Sequence, residues 1–167
     1  ISRGGAKVGD IVVVTGELGG SAMGLWALKN WGGGAKRKYP ELVQRHLCPE
    51  PRIKIGQWLL ASGAVTSMID ISDGLASELH HLAKQSGVGF LIDEGLLPRP
   101  KVARELVAEL KSLMNDYLWH GGEDYELLFT VTSDKWAILE AEGRKAGMKV
   151  TRIGEVRQTA DGVKMRT

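Results

Sequence analysis

The chain has 167 residues, 43% of them apolar and 25% charged, with a formal net charge of +2. This is the profile of one ordinary folded domain with enough apolar material for its own core. A balance so near neutral argues against a nucleic-acid-binding protein held by bulk electrostatics. The one cysteine, Cys48, has no partner in the chain for a disulfide, and no apolar stretch approaches a membrane span. The expected setting is cytoplasmic, with neither membrane nor nucleic acid as a partner.

The first ten residues, Ile1 to Asp10, read as a loop without an initiator methionine, as in a piece of a longer protein. Ile11 to Thr15 is a β-branched run bounded by Asp10 and Gly16, the pattern of a buried strand. The turn Gly16-Glu17-Leu18-Gly19-Gly20-Ser21 leads into a helix from about Ala22 to Trp31, and Gly32-Gly33-Gly34 breaks it before a flexible basic loop containing Lys36-Arg37-Lys38. Without interleaved aromatics that basic run reads as a solvated surface. Tyr39 to Leu47 forms a short helix with Pro40 in its first turn, and Ile55 to Ala61 another, closed by Ser62-Gly63.

Val65 to Ile71 is the second strand, followed by an amphipathic helix from Gly74 to Ser86 with Leu75, Leu79 and Leu82 on one face. Val88 to Asp93 is the third strand. Pro98 and Pro100 introduce a long helix with an apolar stripe at Val102, Leu106, Leu110 and Leu113. Leu127 to Thr132 is the fourth strand. A helix capped by Ser133 or Asp134 runs to Lys145, and strands at Lys149 to Val156 and Val163 to Met165 finish the chain. The uneven alternation of elements predicts an α+β fold, a mixed β-sheet with helices packed on it, rather than a regular doubly wound fold.

Two acidic loops carry the chemistry: Asp70-Ile71-Ser72-Asp73-Gly74 and Gly121-Gly122-Glu123-Asp124-Tyr125-Glu126. Each joins an apolar run to a cluster of oxygen ligands. Carboxylates gathered at the ends of buried strands cost free energy unless a cation or a polar substrate compensates them. A hard divalent ion such as Mg2+, which takes carboxylate, water and phosphate oxygens, is the simplest compensator. In the first loop an extended backbone puts Asp70 and Ser72 on one face, with Asp73 at the start of the helix, whose N-terminus also favours phosphate. The plain alternative makes Asp73 an N-cap and Asp70 a solvated strand end. In the second loop Glu123, displayed by two glycines, suits a cationic or amino-bearing substrate, and the alternative is an ordinary charged turn. Spacing leaves both choices open.

The glycine turn at 16–20 matches neither common phosphate-binding pattern and reads as a packing turn. His80 and His81 lie mid-helix without a third metal ligand, His120 borders the second loop, and Cys48 reads as structural.

Met68-Ile69-Asp70-Ile71-Ser72-Asp73-Gly74-Leu75 and Gly121-Gly122-Glu123-Asp124-Tyr125-Glu126-Leu127 closely resemble the signature segments of the bacterial thiamine-monophosphate kinases. Gly5-Ala6-Lys7-Val8-Gly9-Asp10, Thr15-Gly16-Glu17-Leu18-Gly19-Gly20-Ser21 and Arg45-His46-Leu47-Cys48-Pro49 extend the likeness over nearly the whole chain. It is a likeness to the C-terminal domain of that enzyme, whose superfamily includes aminoimidazole ribonucleotide synthetase, selenophosphate synthetase and a hydrogenase maturation factor.

The resemblance implies that the γ-phosphoryl group of ATP passes to thiamine monophosphate, giving thiamine diphosphate and ADP. Carried over by position, Asp70 and Asp73 are the Mg2+ ligands, Ser72 contacts ATP and Glu123 contacts thiamine monophosphate. It also implies that residues 1–167 are one domain of a longer kinase. The N-terminal ATP-binding domain, which carries most metal and nucleotide ligands and forms a homodimer, is then missing, as is a C-terminal aromatic beyond Thr167, and the fragment alone is expected to be inactive. A sibling enzyme of the superfamily and a non-catalytic Mg2+- or phosphate-binding module are the alternatives.

Overall fold

The structure is a computed structural model that describes residues 1–102, 110 and 113–167. Strand β1 (Ile11–Thr15) is buried along its whole length, because its alternating side chains enter two different cores. Val12 and Val14 point into one and Ile11 and Val13 into the other. Helices must therefore cover both faces of the sheet.

On the first face lie α1 (Gly20–Trp31), α3 (Pro40–Leu47), α5 (Leu75–Ser86) and α6 (Met114–His120), contributing Met23, Leu42, Leu79 and Leu118. On the second lie α4 (Ile53–Ser62) and α7 (Ser133–Lys145), through Leu59 and Leu139. Each such fully buried leucine contributes roughly 1.5–3 kcal/mol by leaving water.

The six strands run in the order β2-β4-β1-β5-β3-β6, with β2 Val65–Asp70, β3 Gly89–Asp93, β4 Leu127–Val131, β5 Val150–Arg157 and β6 Val163–Arg166. Every pair is antiparallel except β3 with β6, so the sheet is mixed as expected. The register Val13 to Phe129 and Val14 to Leu128 matches like faces of β1 and β4. Next to β4, β2 pairs Asp70 with Leu127. That pairing sets both acidic loops side by side at one end of the sheet.

Three departures from the sequence reading have local causes. The expected flexible loop after Gly34 is a short helix, α2 (Ala35–Lys38), held where Trp31 packs edge-on against Trp26 and Tyr39, with the Lys38 ammonium 4.1 Å from the Trp31 ring centre. The cap of α7 is neither Ser133 nor Asp134: Thr132 occupies the N-cap position without a side-chain cap bond. Helix α6 was not foreseen, since its buried Met114 and Leu118 provide only one helical repeat. The long helix expected after Pro100 lies outside the described residues.

Candidate active site

Beyond the Asp70–Leu127 pair the backbone ladder continues through both loops. The Ile71 amide donates to the Glu126 carbonyl at 2.8 Å, the Tyr125 amide to the Ile71 carbonyl at 2.9 Å and the Glu123 amide to the Ser72 carbonyl at 2.8 Å. Residues 51 to 55 positions apart in sequence are thus hydrogen-bonded neighbours. The close approach has a steric requirement, because a Cβ on Gly122 would lie 2.6 Å from the Ser72 carbonyl oxygen. Gly74, at φ +99°, lies against the His120 backbone, where a Cβ would come within 2.9 Å.

In the first loop Asp70 and Asp73 are exposed and Ser72 is half-buried between them. The N-cap of α5 is Gly74 rather than Asp73, so the simple capping role does not hold. Among the described residues neither carboxylate takes part in a hydrogen bond or ion pair. The loop is organised instead by buried Glu78, whose Oε1 accepts from the Ser72 hydroxyl and the Asp73 amide, each at 3.3 Å. Sequence reasoning missed Glu78, although a signal existed: it falls with Leu75, Leu79 and Leu82 on the buried row of α5.

The second loop uses its acids differently. Glu126 is buried and accepts from Arg52 Nε at 2.9 Å, Arg52 Nη2 at 2.8 Å and the Thr15 hydroxyl at 2.6 Å. The two guanidinium bonds form a bidentate pair, and Thr15 Oγ1 in turn accepts from the Leu127 amide. These ties raise the Arg52 pKa, with the Glu126 hydrogen bond the main cause. Gly16, at φ +57°, is pressed against the Glu126 carboxylate and leaves no space for a side chain.

Asp124 accepts from the Gly19 amide at 2.6 Å and the Ser21 amide at 3.0 Å, at the start of α1. The glycine turn is therefore a packing turn whose amides hold an anion supplied by the chain itself. Burial pushes the Asp124 carboxyl up to about 6 despite these two amides, with the Glu126 charge adding to the rise and Arg45 opposing it.

Glu123 alone of these acids points outward, 60% exposed, with its Oε2 3.8 Å from His46 Nδ1. It borders a cavity of about 300 Å³ shared with His46, Tyr117 and His120. A larger cavity of about 600 Å³ lies on the other side of the loop, against Arg45, Cys48, Arg52, Asp124 and Glu126. Cys48, read from sequence as structural, is exposed there, and His80 and His81 are exposed on α5.

The structure thus brings Asp70, Ser72, Asp73 and Glu123 to one end of the sheet through β2 and β4. The desolvation anticipated for the acidic loops falls on Asp124 and Glu126, not on Asp70 and Asp73. No group of three or more His, Cys, Asp or Glu side chains suited to a metal occurs among the described residues. The donor chemistry at Asp70 and Asp73 nevertheless fits Mg2+, which commonly takes one or two carboxylates and completes its shell with water and phosphate. No helix among the described residues is long and apolar enough to cross a membrane.

Thiamine-monophosphate kinase of Salmonella typhimurium (strain LT2) is 39% identical over 171 residues, taking in 98% of this chain and 49% of that protein. The crystal structure of thiamine-monophosphate kinase from Stenotrophomonas maltophilia K279a superimposes with a TM-score of 0.85 at 34% identity, covering 99% of this chain and 52% of the other. AaThiL complexed with AMPPCP and TMP gives a TM-score of 0.84 at 33% identity, covering 99% of this chain and 50% of that one. The chain spans about half the length of these relatives. The family model for AIR synthase related protein, C-terminal domain, matches residues 7–165, and the chain belongs to that family.

Proposed function

We propose that this chain is the C-terminal domain of a cytoplasmic, ATP-dependent kinase that phosphorylates thiamine monophosphate, forming thiamine diphosphate and ADP in thiamine diphosphate biosynthesis. The observation that carries the reading is the bond from the Glu123 amide to the Ser72 carbonyl at 2.8 Å, which sets the two acidic loops side by side, as a metal-and-nucleotide loop beside an acceptor loop would require. The identity with named thiamine-monophosphate kinases over almost all of the chain supports it, as does the complex of AaThiL with AMPPCP, an ATP analogue, and TMP.

In this reading Asp70 and Asp73 hold Mg2+, the Ser72 hydroxyl contacts ATP and Glu123 orients thiamine monophosphate through its amino or cationic part. When bound, Mg2+ supplies charge neutralisation at the transferring phosphate oxygens. Phosphoryl transfer depends chiefly on alignment and electrostatics, so no strong base is required of this chain. Glu123 binds away from the phosphate, which would repel it. An amino-terminal domain completes the metal and nucleotide sites and forms a homodimer, and the 167 residues alone have no appreciable kinase activity.

The test is a phosphoryl-transfer assay of the complete enzyme, with this chain alone in parallel. Formation of thiamine diphosphate by the complete enzyme and none by the chain alone is expected. Transfer only to a different phosphate acceptor would favour a sibling enzyme, and ligand binding without any transfer would favour a non-catalytic module.

A further inference from the structure

Two non-glycine residues among those described have left-handed backbone, and they flank one aspartate: Glu123 at φ +65° and Tyr125 at φ +51°. Such a conformation is disfavoured for a residue bearing a Cβ, and it persists only where the surroundings enforce it. Between the two, Asp124 is tied to the start of α1 by both of its carboxylate oxygens, Oδ2 to the Gly19 amide at 2.6 Å and Oδ1 to the Ser21 amide at 3.0 Å. The backbone on either side is tied to the first loop, Glu123 to Ser72 and Tyr125 to Ile71. The loop is therefore pulled in opposite directions at successive residues, with Asp124 drawn inward and Glu123 turned outward.

A side-chain path closes the same circuit. Ser21, whose amide binds Asp124, has its hydroxyl 3.0 Å from His46 Nδ1, and that nitrogen is 3.8 Å from Glu123 Oε2. Asp124 thus fixes the backbone that presents Glu123 and also anchors the serine that orients the histidine beside it.

We propose that Asp124 is a positioning residue for the acceptor substrate: its clamp on α1 enforces the strained turn that holds the Glu123 carboxylate over the cavity shared with His46, Tyr117 and His120. The proposal rests on the assignment of Glu123 to thiamine monophosphate made above. Asp124 does not touch the substrate. Its effect is transmitted through Glu123, and it spares ATP because the Ser72 hydroxyl assigned to that contact is held separately by Glu78.

The experiment is a double-mutant cycle in the complete enzyme, reading KM for thiamine monophosphate and for ATP together with kcat. Asp124→Ala is expected to raise KM for thiamine monophosphate about tenfold, the size expected for Glu123→Gln, while KM for ATP changes less than twofold. The double variant is expected to remain near tenfold rather than reach the hundredfold of independent effects. Asp124→Asn, which keeps an oxygen acceptor for one of the two amides, should restore part of the affinity, and it replaces alanine in the cycle if that variant does not fold.

Independent effects in the double variant overturn the proposal, as does an equal rise in both KM values, which would make Asp124 an anchor for α1 only. A loss for Glu123→Gln with none for Asp124→Ala overturns this inference and leaves the functional assignment standing. No effect of Glu123→Gln overturns the assignment itself, and the inference with it.

Discussion

The two acidic loops have similar composition and opposite fates. In the first, Asp70 and Asp73 face solvent with no internal partner among the described residues, and a buried glutamate on α5 holds the turn that displays them. In the second, Glu126 and Asp124 are consumed by the fold, one by Arg52 and Thr15 and the other by the start of α1, and only Glu123 is left outside. An acidic motif is therefore not a uniform set of ligands. Backbone amides at the start of α1 and the Arg52 guanidinium decide which carboxylates of the second loop are structural and which is available to bind.

The contrast predicts a wide separation of stability effects. Glu126→Ala removes one half of an ion pair in which Glu126 is 2% and Arg52 25% exposed. Breaking a buried pair costs about 3–5 kcal/mol where the remaining charge is left uncompensated, and the partial exposure of Arg52 together with its second partner Glu50, 3.1 Å away, places this case at the lower end. Asp70→Ala, at an exposed side chain without partners, should change stability by no more than about 0.5 kcal/mol. Urea unfolding of the 167-residue chain measures both. Comparable losses would erase the distinction between the loops.

Activity should separate them in the reverse sense. Asp73→Asn keeps the shape of the side chain and loses the charge assigned to Mg2+, so turnover of the complete enzyme should fall roughly a hundredfold, equivalent to about 3 kcal/mol, with stability almost unchanged. A titration with Mg2+ checks the cause, since the midpoint should move to higher concentration. Normal turnover at limiting Mg2+ would reduce Asp73 to a surface charge.

A smaller effect is expected at Glu123, the one outward acid of the second loop. Glu123→Gln removes a charge-assisted hydrogen bond, which is worth about 1.5–3 kcal/mol, so affinity for thiamine monophosphate should drop about tenfold or more. Nucleotide affinity should hold. Calorimetric titration of both ligands against the complete enzyme decides, and equal losses would indicate a collapsed loop.

Much of this organisation was legible in the sequence, and the limits have physical causes. Strand β1 and helix α5 announced themselves through a β-branched run and an apolar row, which are local signals. The strand order β2-β4-β1-β5-β3-β6 did not, because the side-chain pattern of a strand does not name its neighbour. Asp70, Ser72, Asp73 and Glu123 stood out as candidates, yet their proximity depends on the pairing of β2 with β4. Arg52 was invisible as a partner of Glu126 because 74 residues separate them and no local pattern links them. Glu78 was legible in principle: a glutamate on the buried row of an amphipathic helix requires a polar partner.

The final contrast between the loops is in pH dependence, and it concerns Asp124. Its carboxyl is pushed up to about 6, first by burial and then by the nearby Glu126 charge, with the amides of Ser21 and Gly19 and the Arg45 guanidinium opposing the rise. In the unfolded chain an aspartate titrates near 3.9. Between those values the folded state binds more protons than the unfolded state, so the contribution of this group is fully present below about pH 3.9 and is lost as the pH rises through about 6. Over the interval from pH 5 to 6 the loss should be about 1 kcal/mol, since the linkage slope cannot exceed about 1.4 kcal/mol per pH unit for one proton. Other groups titrate in the same range, so the useful quantity is the stability of the wild type minus that of Asp124→Asn, measured by urea unfolding at each pH. Asparagine keeps one acceptor for the α1 amides and does not titrate, which isolates the carboxyl. The difference should decline from pH 5 to 6 and level off above about 7. A flat difference would mean that Asp124 folds with its ordinary acidity, so that the α1 amides and Arg45 fully offset the cost of burying its charge.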